Sequence, residues 1–136
     1  MATTTATLTI SSTDLLSDEL ALSTTATLTG AGNSTGLTGT NGLARKTVSG
    51  GHAQYTLFDG SDYTADKAHK LYLKNTSTTA SEYFLITVNS EDIGRIYAGD
   101  WALIPWSADT TGNDADFKIT PSTSASHTLE YMLFHE

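Results

Sequence analysis

The sequence predicts an all-β fold: an antiparallel β-sandwich of jelly-roll-like architecture, with residues 1–136 forming a single domain. Composition is the first reason. The chain holds 25 Thr and 14 Ser, and Thr is β-branched and suited to a half-buried pleated face. Pattern is the second, because short stretches with apolar residues at every second position are separated by turn residues at intervals of roughly 8 to 12. The third is that no segment longer than about a dozen residues keeps a 3.6-residue apolar period. A chain of 14.4 kDa buries about two thirds of its extended surface on folding, enough for one core.

The six residues Thr4-Thr5-Ala6-Thr7-Leu8-Thr9 recur unchanged as Thr24-Thr25-Ala26-Thr27-Leu28-Thr29. In both copies apolar side chains alternate with Thr, which predicts two similar strands rather than a solenoid. Residues 1–10 form a candidate partner-binding arm, whose alternating Thr and apolar residues, Leu8 and Ile10 among them, suit an edge strand added to a neighbouring chain. Between the copies, Ser12 to Leu20 allows one short helical turn. Residues 30–42 contain five Gly and two Asn, too many for a continuous strand, and are expected to form a flexible loop able to order against a partner. Strands follow at Leu43 to Ser49 and His52 to Phe58, with a turn at Asp59 to Asp62 and a loop or helical turn from Tyr63 to Lys67.

His69 to Asn75 sets Leu71 and Leu73 against Lys70, Tyr72 and Lys74, and Thr76 to Ser81 is a polar turn. Glu82 to Val88 is apolar enough for a central strand covered on both faces. Asn89 to Asp92 turns the chain into Ile93 to Ala98, Gly99-Asp100 turns it again, and Trp101 to Trp106 follows. Past the loop Asp109 to Asp114 come a short strand, Asp116 to Thr120, and a last one from His127 to Phe134. The expected core comprises Leu57, Leu71, Leu73, Phe84, Ile86, Val88, Ile93, Ile96, Leu103, Phe117, Ile119, Leu129, Tyr131 and Leu133.

With no Cys, disulfides, thiolate metal sites and thiol catalysis are excluded. A net charge of -8, with Arg45 and Lys46 the one adjacent pair of cations, argues against nucleic acid and anionic membrane as partners. The first residues lack the basic and apolar regions of a signal peptide, so synthesis in a cytoplasm and use without processing are expected. No catalytic residue, cofactor or metal site is assigned. The Gly-rich loop lacks the Gly-Lys-Ser/Thr of a phosphate cradle. Gly99-Asp100-Trp101-Ala102-Leu103-Ile104-Pro105 looks like a cupin stretch, but no His-x-His pair accompanies it. Asp109 to Asp116 gathers three carboxylates without the spacing of a calcium loop, and reads as an acidic turn. Asn33-Ser34-Thr35 and Asn75-Thr76-Ser77 match a glycosylation pattern by chance. Trp101 and Trp106 are five apart and lie on opposite faces of an unbulged strand. Both are expected in the core, and an exposed one would mark an interface.

Three stretches carry a resemblance: Tyr63 to Ala68 with Leu71-Tyr72-Leu73-Lys74-Asn75-Thr76, Ile93 to Trp106, and Thr128 to Phe134. Together they resemble small virion structural proteins of tailed bacteriophages, marine cyanophages in particular. A Lys-Asn-Thr strand end, a Gly-Asp turn, a strand ending in Pro-Trp and a final Leu-Glu-Tyr strand recur there in this order. The match spans about residues 63 to 134 and its motifs are structural. The resemblance implies a non-enzymatic capsid decoration protein on the virion exterior, with the major capsid protein as partner and a homo-oligomer, a trimer by analogy, as its state. Its alternatives are a tail or fibre component and, from other classes, a carbohydrate-binding module using Trp101 or Trp106 and a degenerate cupin-like enzyme. Leu8, Ile10, Trp101 and Trp106 are the candidate interface residues.

Overall fold

A computed structural model describes residues 3–15, 20–30, 35–51, 53–109, 115–122 and 125–136. Its strands are β1 (Thr5–Ser12), β2 (Leu20–Thr27), β3 (Gly39–Thr40), β4 (Ala44–Val48), β5 (Tyr55–Phe58), β6 (His69–Asn75), β7 (Tyr83–Val88), β8 (Glu91–Tyr97), β9 (Trp101–Trp106), β10 (Phe117–Pro121) and β11 (His127–His135). One short 3₁₀ turn, Gly60–Asp62, is capped by the Asp59 carboxylate, which accepts from the Ser61 amide. The Ser61 hydroxyl also donates to that carboxylate, and these two hydrogen bonds hold the Asp59 pKa below its ordinary value.

The pairings nest. β7 pairs with β8, β6 with β9, β5 with β10 and β4 with β11, all antiparallel. This is one long double strand rolled up on itself, so the eight strands β4 to β11 have jelly-roll topology. Rolling brings β10 beside β7 and β11 beside β6. The result is one sheet ordered β5-β10-β7-β8 and a second ordered β3-β11-β6-β9, with β4 also on β11. β1 and β2 pair only with each other, outside both sheets.

The core lies between the two sheets. Leu71, Leu73, Leu129 and Leu133 enter it from one side and Phe84, Ile86, Phe117 and Ile119 from the other. All eight belong to the expected core, as does Ile96, while Leu57, Val88 and Tyr131 sit partly buried at its margin. Ile93 and Leu103 depart from expectation, for both are exposed. Ile86 pairs with Gly94 while Thr87 pairs with Asp92, which leaves Ile93 as the extra residue of a β-bulge on an edge strand. Leu103 is outward by parity, because Ala102, Ile104 and Trp106 take the inner face of β9. The core also draws Val48, Phe58, Trp106 and Ala108, and Leu28 and Leu37 are buried as well.

Each end of the sandwich is closed by its own chemistry. At one end Phe58, Tyr63, His69 and Trp106 pack ring against ring, with centroids 5.4–6.0 Å apart. Toward the other, Asn75 ties the sheets together: its amide nitrogen donates to the carbonyls of Glu82 and Ile96, and its oxygen accepts from Ser77. Its backbone bonds the Gly-Asp turn, Asn75 N to Asp100 O and Gly99 N to Asn75 O, both 3.0 Å. Gly99, at φ +82, takes the left-handed conformation that a crossover between sheets requires there. The Lys-Asn-Thr and Gly-Asp motifs therefore form a single clasp, and the buried Asn75 amide is a core hydrogen-bonding group.

The Gly-rich segment is tied down where it is described. Thr29 bridges to Gly36, Leu37 N donates to Leu28 O, and β3 pairs with β11 through Phe134 and His135. Residues 31–34 and His52 lie outside the described residues, as do residues 16–19 of the expected helical turn between β1 and β2.

Candidate functional site

The site begins with the repeated hexapeptide. Its two copies face each other in β1 and β2, in a register that pairs Thr5 with Thr27, Thr7 with Thr25 and Thr9 with Ser23. Period two then sorts the ribbon into two faces. One is hydroxylic, with Thr7 and Thr25 hydroxyls 2.8 Å apart. The other carries Ala6, Leu8, Ile10, Leu22 and Ala26, where Ile10 and Leu22 are direct partners. A two-stranded ribbon alone is marginal in water, so its apolar face needs a surface to lie on. Its base finds one on its own domain: the ladder continues through Leu28 N to Thr4 O at 2.8 Å, and Leu28 is buried there and accepts the Leu37 amide.

That surface is the outward face of the β11-β6-β9 sheet. Tyr72 is flanked by Leu103 on β9 and Met132 on β11, with Trp101 and Phe134 on the same face. These five side chains and the base of the arm enclose a groove of about 470 Å³, within the range of small binding sites. Behind Tyr72 stands Glu130, which takes an ion pair from Arg45 at 2.8 Å and a hydrogen bond from the Tyr72 hydroxyl at 3.4 Å. Burial, then the Glu130 charge, push the Tyr72 hydroxyl pKa up.

Of the four candidate interface residues, the structure brings Leu8 and Trp101 together in this groove. Ile10 lies further out on the same arm face, 44% exposed, and Trp101 is 55% exposed. Trp106 is displaced from the candidate set. It turns into the core at 5% exposure, and its indole N–H donates to Ala115 O at 2.8 Å. The expectation that both tryptophans are core thus fails for Trp101, because parity sends one of the pair outward. Sequence reasoning missed Leu22, Tyr72, Leu103, Met132 and Phe134. The signal for three of them was present, since Tyr72, Met132 and Phe134 alternate with core residues and so had to lie on one outer face.

A second cluster has the order of an acyl-transfer triad. Ser122 Oγ lies 2.5 Å from His127 Nε2, and His127 Nδ1 lies 4.0 Å from Glu82 Oε2. Glu82 and His127 line a small polar cavity of about 260 Å³, but Ser122 does not. The Ser122 hydroxyl is buried and accepts the Tyr83 amide at 3.2 Å. A nucleophile needs an open approach and a nearby oxyanion donor. This serine is buried with its hydroxyl bonded to the Tyr83 amide and to His127, and the cluster links the residue before β7, the residue after β10 and the first residue of β11. His69 is buried among the rings at the other end, which pushes its pKa down. Among the described residues no group of three or more His, Asp or Glu is placed to hold a metal. Asp116, from the acidic turn, accepts the Gly60 amide and pairs with Lys118. Residues 110–114 of that turn lie outside the described residues.

No protein-family model, curated protein or solved structure matches the chain.

Proposed function

We propose that this chain is a structural subunit of a virus particle, a decoration protein that binds the outside of a bacteriophage capsid and stabilises the shell. The observation that carries the reading is the β1–β2 arm: a ribbon outside both sheets whose apolar face continues past the domain that supports it. A self-contained sandwich with a projecting apolar arm suits a subunit that must keep its fold while gripping a neighbour. The motifs read in residues 63–134 as resembling phage virion proteins suggest the setting, and jelly rolls recur in viral shells as a matter of architecture. The acidic surface agrees with a position away from packaged nucleic acid.

The test is addition of the purified protein to shells that lack it. Saturable co-sedimentation and a rise in the temperature at which the shells break support decoration. Failure to bind shells, with binding to isolated tails instead, replaces it with the tail or fibre reading.

The exposed Trp101 favours one other reading, a carbohydrate-binding module that stacks a sugar on the indole. Glycan binding lost in Trp101→Ala would support it.

A further inference from the structure

We propose that the arm of one copy of this chain docks in the Trp101 groove of a second copy, so that the isolated protein assembles head to tail. This goes beyond the virion reading, since it concerns the purified chain alone.

The arm overhangs its own support. Ala6, Leu8, Thr24 and Ala26 line the groove, whereas residues 9–12 and 20–23 do not. Four residue pairs, about 13 Å of ribbon, therefore project with Ile10 and Leu22 side by side, 44% and 47% exposed. The groove in turn is incompletely filled by its own arm, leaving Trp101 and Leu103 open to solvent. Charge complementarity selects a second copy as occupant. No Lys or Arg precedes Arg45, and Asp14, Asp18 and Glu19 sit between the arm strands in sequence. The face beside the groove carries Lys70 and Lys74, which pair in register with Pro105 and Trp101. A ribbon without cations and with an apolar tip thus matches an aromatic groove flanked by Lys70, Lys74 and the Arg45–Glu130 pair, a net positive patch in an otherwise acidic protein. Tip and groove are different patches of one chain, so the contact is heterologous and closes into a ring or continues as a filament.

Sedimentation velocity on the full chain tests this with two variants at exposed positions. One is the tip variant Ile10→Asp with Leu22→Asp, and the other is the groove variant Trp101→Ser with Leu103→Ser. Unchanged cooperative melting checks that each is folded, and Lys74→Glu serves as a second groove variant. The wild type is expected to associate with concentration, and each variant to associate at least about tenfold more weakly. Mixing the two is expected to restore a dimer and nothing larger, because one intact tip then meets one intact groove. A wild type that stays monomeric overturns the proposal, even if shells or glycans bind the groove. So does a tip variant or groove variant that associates like the wild type alone, which would mean a groove-to-groove or tip-to-tip contact, and so does a mixture that yields no dimer.

Discussion

Phe84, on β7 between β10 and β8, is fully buried against both sheets. An unpaired carboxylate there costs several kcal/mol, comparable to the stability of a small domain. Phe84→Asp is expected to abolish cooperative folding, and a soluble variant with a sharp melting transition would place the core elsewhere. The two tryptophans make a paired prediction. Trp106→Ala should cost about 3–5 kcal/mol, since it removes a packed ring and leaves the Ala115 carbonyl without its donor, whereas Trp101→Ala should leave chemical-denaturation stability nearly unchanged. Equal losses would contradict the assigned faces. His69 gives a pH dependence. Its folded pKa lies below the unfolded value of about 6.5, so the unfolded chain binds the extra proton first. Its contribution to stability is therefore complete above the unfolded pKa and is lost as pH falls from there toward the folded one. His69→Gln should flatten the fall in melting temperature between neutral and mildly acidic pH, and an unaltered slope would show that His69 does not titrate as described.

At the scale of elements, the arm is separable from the roll by its hydrogen bonding, because β1 and β2 bond each other and neither sheet. Deleting residues 2–10 is expected to leave a soluble, cooperatively melting domain while abolishing association with shell or subunit. Loss of solubility would mean that the ribbon completes the fold. How much of this was legible depends on where the deciding contact lies. Leu71 and Leu73 alternate with Lys70, Tyr72 and Lys74, so β6 and its inner face follow from local sequence. The limits of β9 likewise follow from the turns around Trp101 and Trp106. The exposure of Ile93 does not, because a bulge is a property of the β7–β8 pairing and leaves no mark on one strand. Leu28 and Leu37 stand singly among Thr and Gly, and only tertiary packing makes them core. The identical hexapeptides announced two strands, yet that they pair with each other, and that a groove opens beneath them, depends on the outer face of strands more than forty residues away. Asn75 shows in sequence only a chance glycosylation pattern and is a core clasp in the fold, since its amide bonds the carbonyls of Glu82, just before β7, and Ile96 on β8.

For the molecule as a whole, seven of the eight large apolar side chains exposed among the described residues fall in two places, Leu43 before β4 standing apart. Ile10, Leu15 and Leu22 lie on or beside the arm, and Ile93, Tyr97, Trp101 and Leu103 lie along the β8–β9 flank where both sheets end in open edges. Such concentration marks surfaces for partners. Chelation is expected to leave melting and assembly unchanged. A Ca²⁺-dependent rise in melting temperature removed by Asp114→Ala would show instead that the acidic turn is a metal site acting by mass action. The central claim, that this chain decorates a capsid, is tested most directly by cryo-electron microscopy of intact particles. The predicted result is density for the sandwich at symmetric positions over the whole outer shell, with the arm reaching a neighbouring subunit. Density confined to the tail, or a particle that lacks the protein, would contradict it.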